Sequence, residues 1–94
     1  MALCYIEIKI AIPFAQNLKD KRSILTSITS RISKKYNVSI AEIDFNDVWK
    51  STKLGMAIIA QNGKIFDPMV ENILDFLESS YPEIRVSITH KELL

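Results

Sequence analysis

LCYIEIKIAI, residues 3–12, alternates between isoleucines and other side chains along most of its length. A period of two is typical of a β-strand with one buried face, because successive side chains point to opposite sides of the sheet. Pro13 ends the predicted strand, since proline cannot donate to a strand ladder. The predicted inward-facing set is Ile6, Ile8, Ile10 and Ile12. The predicted outward-facing set is Tyr5, Glu7, Lys9 and Ala11.

Two helices are predicted further along the chain. From about Asp20 to Tyr36, apolar residues recur every three or four positions, which indicates an amphipathic helix. The same spacing recurs over roughly residues 67–80, where Asp67 and Pro68 are expected to be the N-cap and the first helical position. Further strands are predicted over residues 38–45, 51–61 and 83–90.

The third strand is nearly apolar on both faces, which places it in the middle of the sheet. A change of phase in the second strand predicts a β-bulge near Ala41–Glu42. Tyr5 is the only aromatic residue expected on the uncovered face of the first and third strands, so a base-stacking sheet is not expected. From the third strand, that face receives either Ala57 and Ile59, or Leu54, Met56 and Ile58.

The order β-α-β-β-α-β predicts one ferredoxin-like α+β domain spanning residues 1–94. In this arrangement a four-stranded antiparallel sheet carries both helices on one face. A length of 94 residues suits a single domain, and the sequence contains no internal repeat, linker or low-complexity segment.

The composition excludes several classes of protein. The net charge is +1, apolar residues make up 48% of the chain, and there is a single cysteine, Cys4. Because one cysteine forms no internal disulfide, we expect an intracellular, cytoplasmic protein. No signal peptide is recognised, and no apolar run reaches the ~18–20 residues that span a bilayer.

No catalytic or metal-binding constellation emerges, so we expect no enzyme, no metal and no cofactor. Cys4 and His90 lie at opposite ends of the chain, and a metal centre would need several such ligands close together. Glu42 and Asp44 are expected on one strand face, near Asp47. Paired carboxylates serve acid–base catalysis, but a solvated strand edge that resists aggregation is the favoured interpretation.

The distribution of charge is uneven. Residues 1–37 carry a net charge of +5 and residues 38–94 carry −4. Lys19, Lys21 and Arg22 crowd the start of the first helix, where free N–H groups and cations together form anion sites. We expect either a contact with a phosphate backbone or a solvated helix end. The proposed nucleic-acid contact continues along the helix through Arg31, Lys34 and Lys35.

Val48 and Trp49 follow a predicted turn, where polar residues are usual. An exposed tryptophan there would anchor a protein partner or a second copy of the chain. The alternative is that Trp49 begins the third strand and caps the core.

Several segments resemble the YlxP-like family of small bacterial proteins, a domain of unknown function. NLKDKR at residues 17–22 is similar to the family's SLKEKR, and NVSIAEID at residues 37–44 is similar to its NVSVAEVD. Residues 47–49 and Leu54-Gly55 match the family's D-x-W and L-G. The resemblance implies a ferredoxin-like fold and supplies no catalytic residues. Genes of this family often lie beside those for translation and ribosome-maturation factors.

Two functional hypotheses follow. The first is a non-enzymatic cytoplasmic accessory protein that contacts ribosomal RNA or a ribosome-associated protein through the basic residues. The second is a homodimeric protein-interaction or small-ligand regulatory module that uses Val48, Trp49 and the uncovered sheet face. Binding should weaken steeply with salt in the first case and little in the second.

Overall fold

The computed structural model describes residues 1–94 and contains four strands and two α-helices. The strands are β1 (Ala2–Ala11), β2 (Ser39–Asp44), β3 (Ser51–Ala60) and β4 (Arg85–Leu93). The helices are α1 (Leu18–Lys35) and α2 (Phe66–Ser80), the second entered through a short 3-10 turn at Gly63–Ile65. The order β-α-β-β-α-β confirms the sequence prediction.

The sheet has the strand order β2-β3-β1-β4, and every neighbouring pair is antiparallel. The two central strands are therefore β1 and β3, and the central position of β3 confirms the prediction from its apolar character. One face of the sheet packs against both helices, and a single core cluster joins Ile8 of β1, Ile28 of α1 and Ile73 of α2. This is the ferredoxin-like arrangement.

The alternation in β1 correctly separates the two faces of the sheet. Ile6, Ile8, Ile10 and Ile12 are fully buried. Leu54, Met56 and Ile58 lie on the same side, which leaves Ala57 and Ile59 on the uncovered side. The structure thus decides between the two sets that the sequence of β3 left open.

The start of α2 differs from the prediction. Asp67 is not the N-cap: the helix begins at Phe66, and Asn62 instead caps the preceding 3-10 turn by accepting from the backbone N–H of Lys64. Asp67 lies in the first turn of α2 and forms an ion pair with Lys91 of β4. This contact raises the pKa of Lys91, because the ammonium group donates a hydrogen bond to the carboxylate.

The irregularity in β2 lies between Glu42 and Asp44, slightly later than the sequence predicts. This irregularity places the two carboxylates of β2 on opposite faces of the sheet. Glu42 is opposite the buried Leu54, whereas Asp44 is opposite Lys53 on the uncovered face. The expectation that Glu42 and Asp44 share one face is therefore wrong, because the bulge at Ile43 changes the strand's phase between them.

Neither helix combines the length and apolarity that a bilayer-spanning helix needs. No group of three or more His, Cys, Asp or Glu side chains is placed to hold a metal ion. Cys4 is buried in the core, and its pKa is raised because burial disfavours the thiolate.

Candidate functional site

Lys21 is the basic residue whose position departs most from the sequence prediction. Its side chain is 1% exposed, and its Nζ lies 2.9 Å from Oε2 of Glu42. The same ammonium group donates to the backbone carbonyl of Phe45, while the Thr52 hydroxyl donates to Glu42 Oε2 over 2.6 Å. Lys21 is thus an internal cation rather than a surface contact for phosphate, which corrects its assignment to the nucleic-acid-binding residues.

A signal in the sequence marks this burial. Lys21 stands three, four and seven residues before Ile24, Leu25 and Ile28, so it lies on the apolar stripe of α1. A charged residue on such a stripe needs a partner inside the protein. Glu42 supplies that partner, because it stands two residues after Ile40 on the inward face of β2, before the bulge.

The start of α1 is capped by its own side chains. Asn17 accepts from the backbone N–H of Asp20 over 2.8 Å, and the Asp20 carboxylate accepts from the N–H of Gln16 over 3.0 Å. These bonds occupy groups that an external anion would otherwise use. Lys19 and Arg22 remain exposed beside this capped end, where the Asp20 carboxylate opposes the approach of an external anion.

A second basic cluster lies at the other end of α1. The Arg31 guanidinium lies 5.0 Å from the ring centroid of Phe76 and 5.4 Å from that of Tyr81, whose hydroxyl accepts from Nη1 over 3.1 Å. The Lys35 ammonium lies 4.6 Å from the Phe76 centroid. Two cations therefore share one aromatic ring, which holds both in defined positions.

We call this region the cation–aromatic groove and define it by Arg31, Lys34, Lys35 and Phe76. The groove runs between α1 and α2, with a volume of about 610 Å³ where Arg31, Lys35, Phe76 and the carboxylate of Asp75 line it and about 380 Å³ where Lys34 joins the two cations. The ion pairs of the protein involve Lys21, Lys53, Lys91 and His90. The three cations of the groove therefore have no carboxylate within ion-pair distance.

The six predicted bases do not form one continuous patch. Arg22 and Arg31 are nine residues apart in a helix of 3.6 residues per turn, which places them about 180° apart around α1. Arg31 faces α2, where it meets Phe76, so Arg22 projects from the opposite side. The predicted extension of the helix-start contact along α1 is therefore incorrect, because α1 presents these bases on different sides.

The side of the sheet opposite the helices has no cover, and we call it the open face. Tyr5 lies across Gly55 there: a Cβ added to Gly55 would be 3.0 Å from the Tyr5 hydroxyl and 3.1 Å from a methyl group of Ile43. The Tyr5 ring also contacts His90, at 6.1 Å between centroids. Gly55 thus provides the space in which the phenol ring lies against the sheet.

The Tyr5 hydroxyl donates to Oε2 of Glu7 over 2.8 Å. This hydrogen bond raises the pKa of Tyr5 above its usual value, because the phenolate cannot donate to the carboxylate. Since the folded-state pKa lies above the unfolded value of about 10, the interaction stabilises the fold below that pH. The stabilisation is lost as the pH rises through the folded-state pKa.

Ultraviolet titration of phenolate formation checks this assignment. The difference between the wild-type and Tyr5→Phe titrations should show one phenol that ionises above pH ~10. Glu7→Gln should move that transition down towards the usual value. A Tyr5 transition that Glu7→Gln leaves in place would contradict the role of the hydrogen bond.

The β2–β3 loop exposes the two predicted interface residues. Val48 is 44% exposed and Trp49 is 48% exposed. Phe45 begins the loop with a φ of 62°, and its carbonyl accepts from both Lys21 and the N–H of Val48. Trp49 therefore precedes β3 on the surface and does not cap the core.

Comparisons with known proteins concern both sequence and fold. A family model described as "Protein of unknown function (DUF503)" matches residues 3–91. The "Uncharacterized protein YlxP" of Bacillus subtilis (strain 168) is 37% identical over 78 residues, covering 83% of this chain and 84% of that protein. Both findings agree with the resemblance that the sequence motifs carry.

Solved structures support the fold alone. The chain is similar to the designed protein Foldit4, with a TM-score of 0.61 and 13% identity over 96% of each chain. It is similar to the designed ferredoxin-fold protein LFR1 1, with a TM-score of 0.62 and 17% identity over 95% of this chain and 84% of that one. A dimeric ferredoxin-like protein from an uncultured marine organism has a TM-score of 0.59 and 5% identity, over 100% and 96% of the two chains.

Proposed function

This chain belongs to the DUF503 family of proteins of unknown function, and we propose that it is a non-enzymatic cytoplasmic accessory protein that binds RNA. The RNA we propose is ribosomal, and the contact is the cation–aromatic groove. The observation that carries the proposal is that Arg31 and Lys35 lie over the single ring of Phe76 and Lys34 lines the same groove, with no carboxylate within ion-pair distance of any of the three.

The groove offers two kinds of contact that single-stranded RNA uses. Arg31, Lys34 and Lys35 can neutralise phosphates and release their counterions, which supplies most of the affinity of such complexes. The guanidinium plane of Arg31 and the ring of Phe76 are groups on which unpaired bases stack. Arg31 is already held by Tyr81, so little of its conformational entropy is lost on binding.

Lys19 and Arg22 give the proposed interface a second, separate part. They lie at the opposite end of α1, roughly 20 Å from the groove at a rise of 1.5 Å per residue. A folded RNA reaches both sites only if its phosphates wrap around the helix. The groove is therefore the primary contact, and Lys21 takes no part because it is buried.

Co-sedimentation with small ribosomal subunits at ~50 and ~200 mM salt tests the proposal. We expect saturable binding at the lower salt concentration that is largely lost at the higher one. Arg31→Glu combined with Lys35→Glu should weaken binding about tenfold or more and reduce the salt slope by about 0.7 for each phosphate contact removed. The matched control is Lys50→Glu combined with Lys64→Glu, which changes the charge equally at exposed lysines outside the groove.

Equal losses in the two double variants would show that net charge alone matters and would contradict a specific groove. Binding that resists salt would contradict a phosphate contact. If Trp49→Ala abolished such salt-resistant binding, the second candidate function, a protein-interaction module, would take its place. The exposure of Val48 and Trp49 on a loop with a defined backbone favours that candidate.

A further inference from the structure

The open face of the sheet carries an apolar surface that neither helix covers. Its middle is formed by Tyr5, Ile43, Gly55 and Ala57 around a shallow depression of about 250 Å³. Ile59 extends it along β3 and is 55% exposed. Contiguous apolar surface of this kind marks an interaction site more often than isolated exposed residues do.

We propose that a second copy of this chain covers the open face, with the two sheets packed face to face about a two-fold axis. The proposal is independent of the RNA contact, because the cation–aromatic groove lies on the helical side and the open face lies on the other. Three features of the open face favour a second copy as its occupant: its shape, its charge pattern and its area.

The shape suits a second sheet. Stacked sheets lie about 10 Å apart and their facing side chains interdigitate, so short side chains on one sheet leave room for longer ones on the other. Ala41, Gly55 and Ala57 are short, and Tyr5 lies flat across Gly55 with its hydroxyl bound to Glu7. These residues form a low surface across three strands.

The charge pattern is complementary to itself. Lys9 and Lys53 are register partners near one end of the face, with Arg85 beyond them on β4. Glu7, 4.0 Å from Lys53, and Asp44, opposite Lys53 on β2, offset two of these charges, so this end keeps an excess of one base. Glu92, the register partner of Tyr5, lies about 13 Å away along the strands, at 3.3 Å per residue. A two-fold axis perpendicular to the strands brings the basic end of each copy onto the acidic part of the other. An axis parallel to the strands would instead place Lys9 against the partner's Lys53, which is unfavourable.

The area suits a weak dimer. Four strands about 4.8 Å apart and roughly eight residues long give a face of roughly 500 Å². Two copies would bury roughly 1,000 Å² in total, at the lower limit for a specific interface. We therefore expect a dimer that forms and dissociates with protein concentration.

Sedimentation velocity over a series of protein concentrations tests the proposal. Wild-type protein should change from monomer to dimer, and Ile59→Lys should raise the dimer dissociation constant about tenfold or more. The added ammonium group would be desolvated against the basic end of the partner. The matched control is Ile65→Lys, since Ile65 is 43% exposed but lies on the 3-10 turn away from the open face.

A charge exchange tests the orientation. Lys9→Glu and Glu92→Lys should each weaken self-association, and an equimolar mixture of the two variants should restore it, because opposite charges then meet across the interface.

Wild-type protein that stays monomeric at millimolar concentration would overturn the proposal. A dimer that survives Ile59→Lys would also overturn it and would point to pairing through the edge strands β2 or β4. A monomer whose open-face amide signals move only when RNA is added would overturn it in favour of RNA.

Discussion

Lys21→Met is expected to lower the free energy of unfolding by about 3 kcal/mol, the largest effect of any exchange of a charged residue in this protein. Lys21 is buried and holds Glu42 at 2.9 Å. Removing the ammonium group leaves the Glu42 carboxylate, which is 18% exposed, without its cation. The folded state is then destabilised, because nothing compensates the hydration that the carboxylate loses on burial. It also removes the donor to the Phe45 carbonyl, which anchors the β2–β3 loop.

The double variant Lys21→Met/Glu42→Gln should recover most of the lost stability. The amide is neutral and still accepts the hydrogen bond from Thr52, so no unpaired charge remains inside the fold. Lys19→Met is the matched control, because Lys19 is exposed two residues earlier on the same helix. Urea denaturation gives each free energy. A loss below about 1 kcal/mol for Lys21→Met would show that water reaches the pair in solution.

Ile8→Ala should lower the free energy of unfolding by about 3 kcal/mol, because it leaves a cavity where the central strand β1 meets both helices. Ile88→Ala should cost less than about 1 kcal/mol. The two isoleucines are register partners on β1 and β4, but Ile8 is fully buried and Ile88 is 44% exposed. The pair is therefore a matched comparison of the same chemical change at two depths.

Guanidinium or urea denaturation of both variants supplies the comparison. Similar losses of unfolding free energy at the two positions would contradict the partial exposure of Ile88 on β4. A small loss at Ile8 would mean that the surrounding core collapses into the cavity, since the cost of such a truncation depends on how far the site relaxes.

Much of the fold could be predicted because its signals are local. The alternation of residues 3–12 assigns the two faces of β1, and the spacing of Ile24, Ile28 and Ile32 assigns the inner face of α1. Those periods follow directly from strand and helix geometry. The order of elements then leaves few topologies, and the antiparallel sheet with two helices is one of them.

The candidate site was less predictable, because it depends on contacts between distant residues. Arg31 and Tyr81 are fifty positions apart in the sequence, and nothing around Arg31 indicates that Phe76 will lie beside it. The burial of Lys21 was signalled by its place on the apolar stripe, yet its partner Glu42 lies on a separate element, β2, 21 residues later in the sequence. The exposure of Trp49 likewise followed from the loop that Phe45 begins.

By itself the sequence determined the elements, their order, the inward faces of β1 and α1, and the family. Only the tertiary structure decided which bases face solvent, which side of β3 is covered, and that Arg31 and Lys35 share the ring of Phe76. The physical reason is the range of the interactions. Periodicity reports the burial of one face of one element, whereas ion pairing and cation–aromatic contacts depend on how separate elements pack.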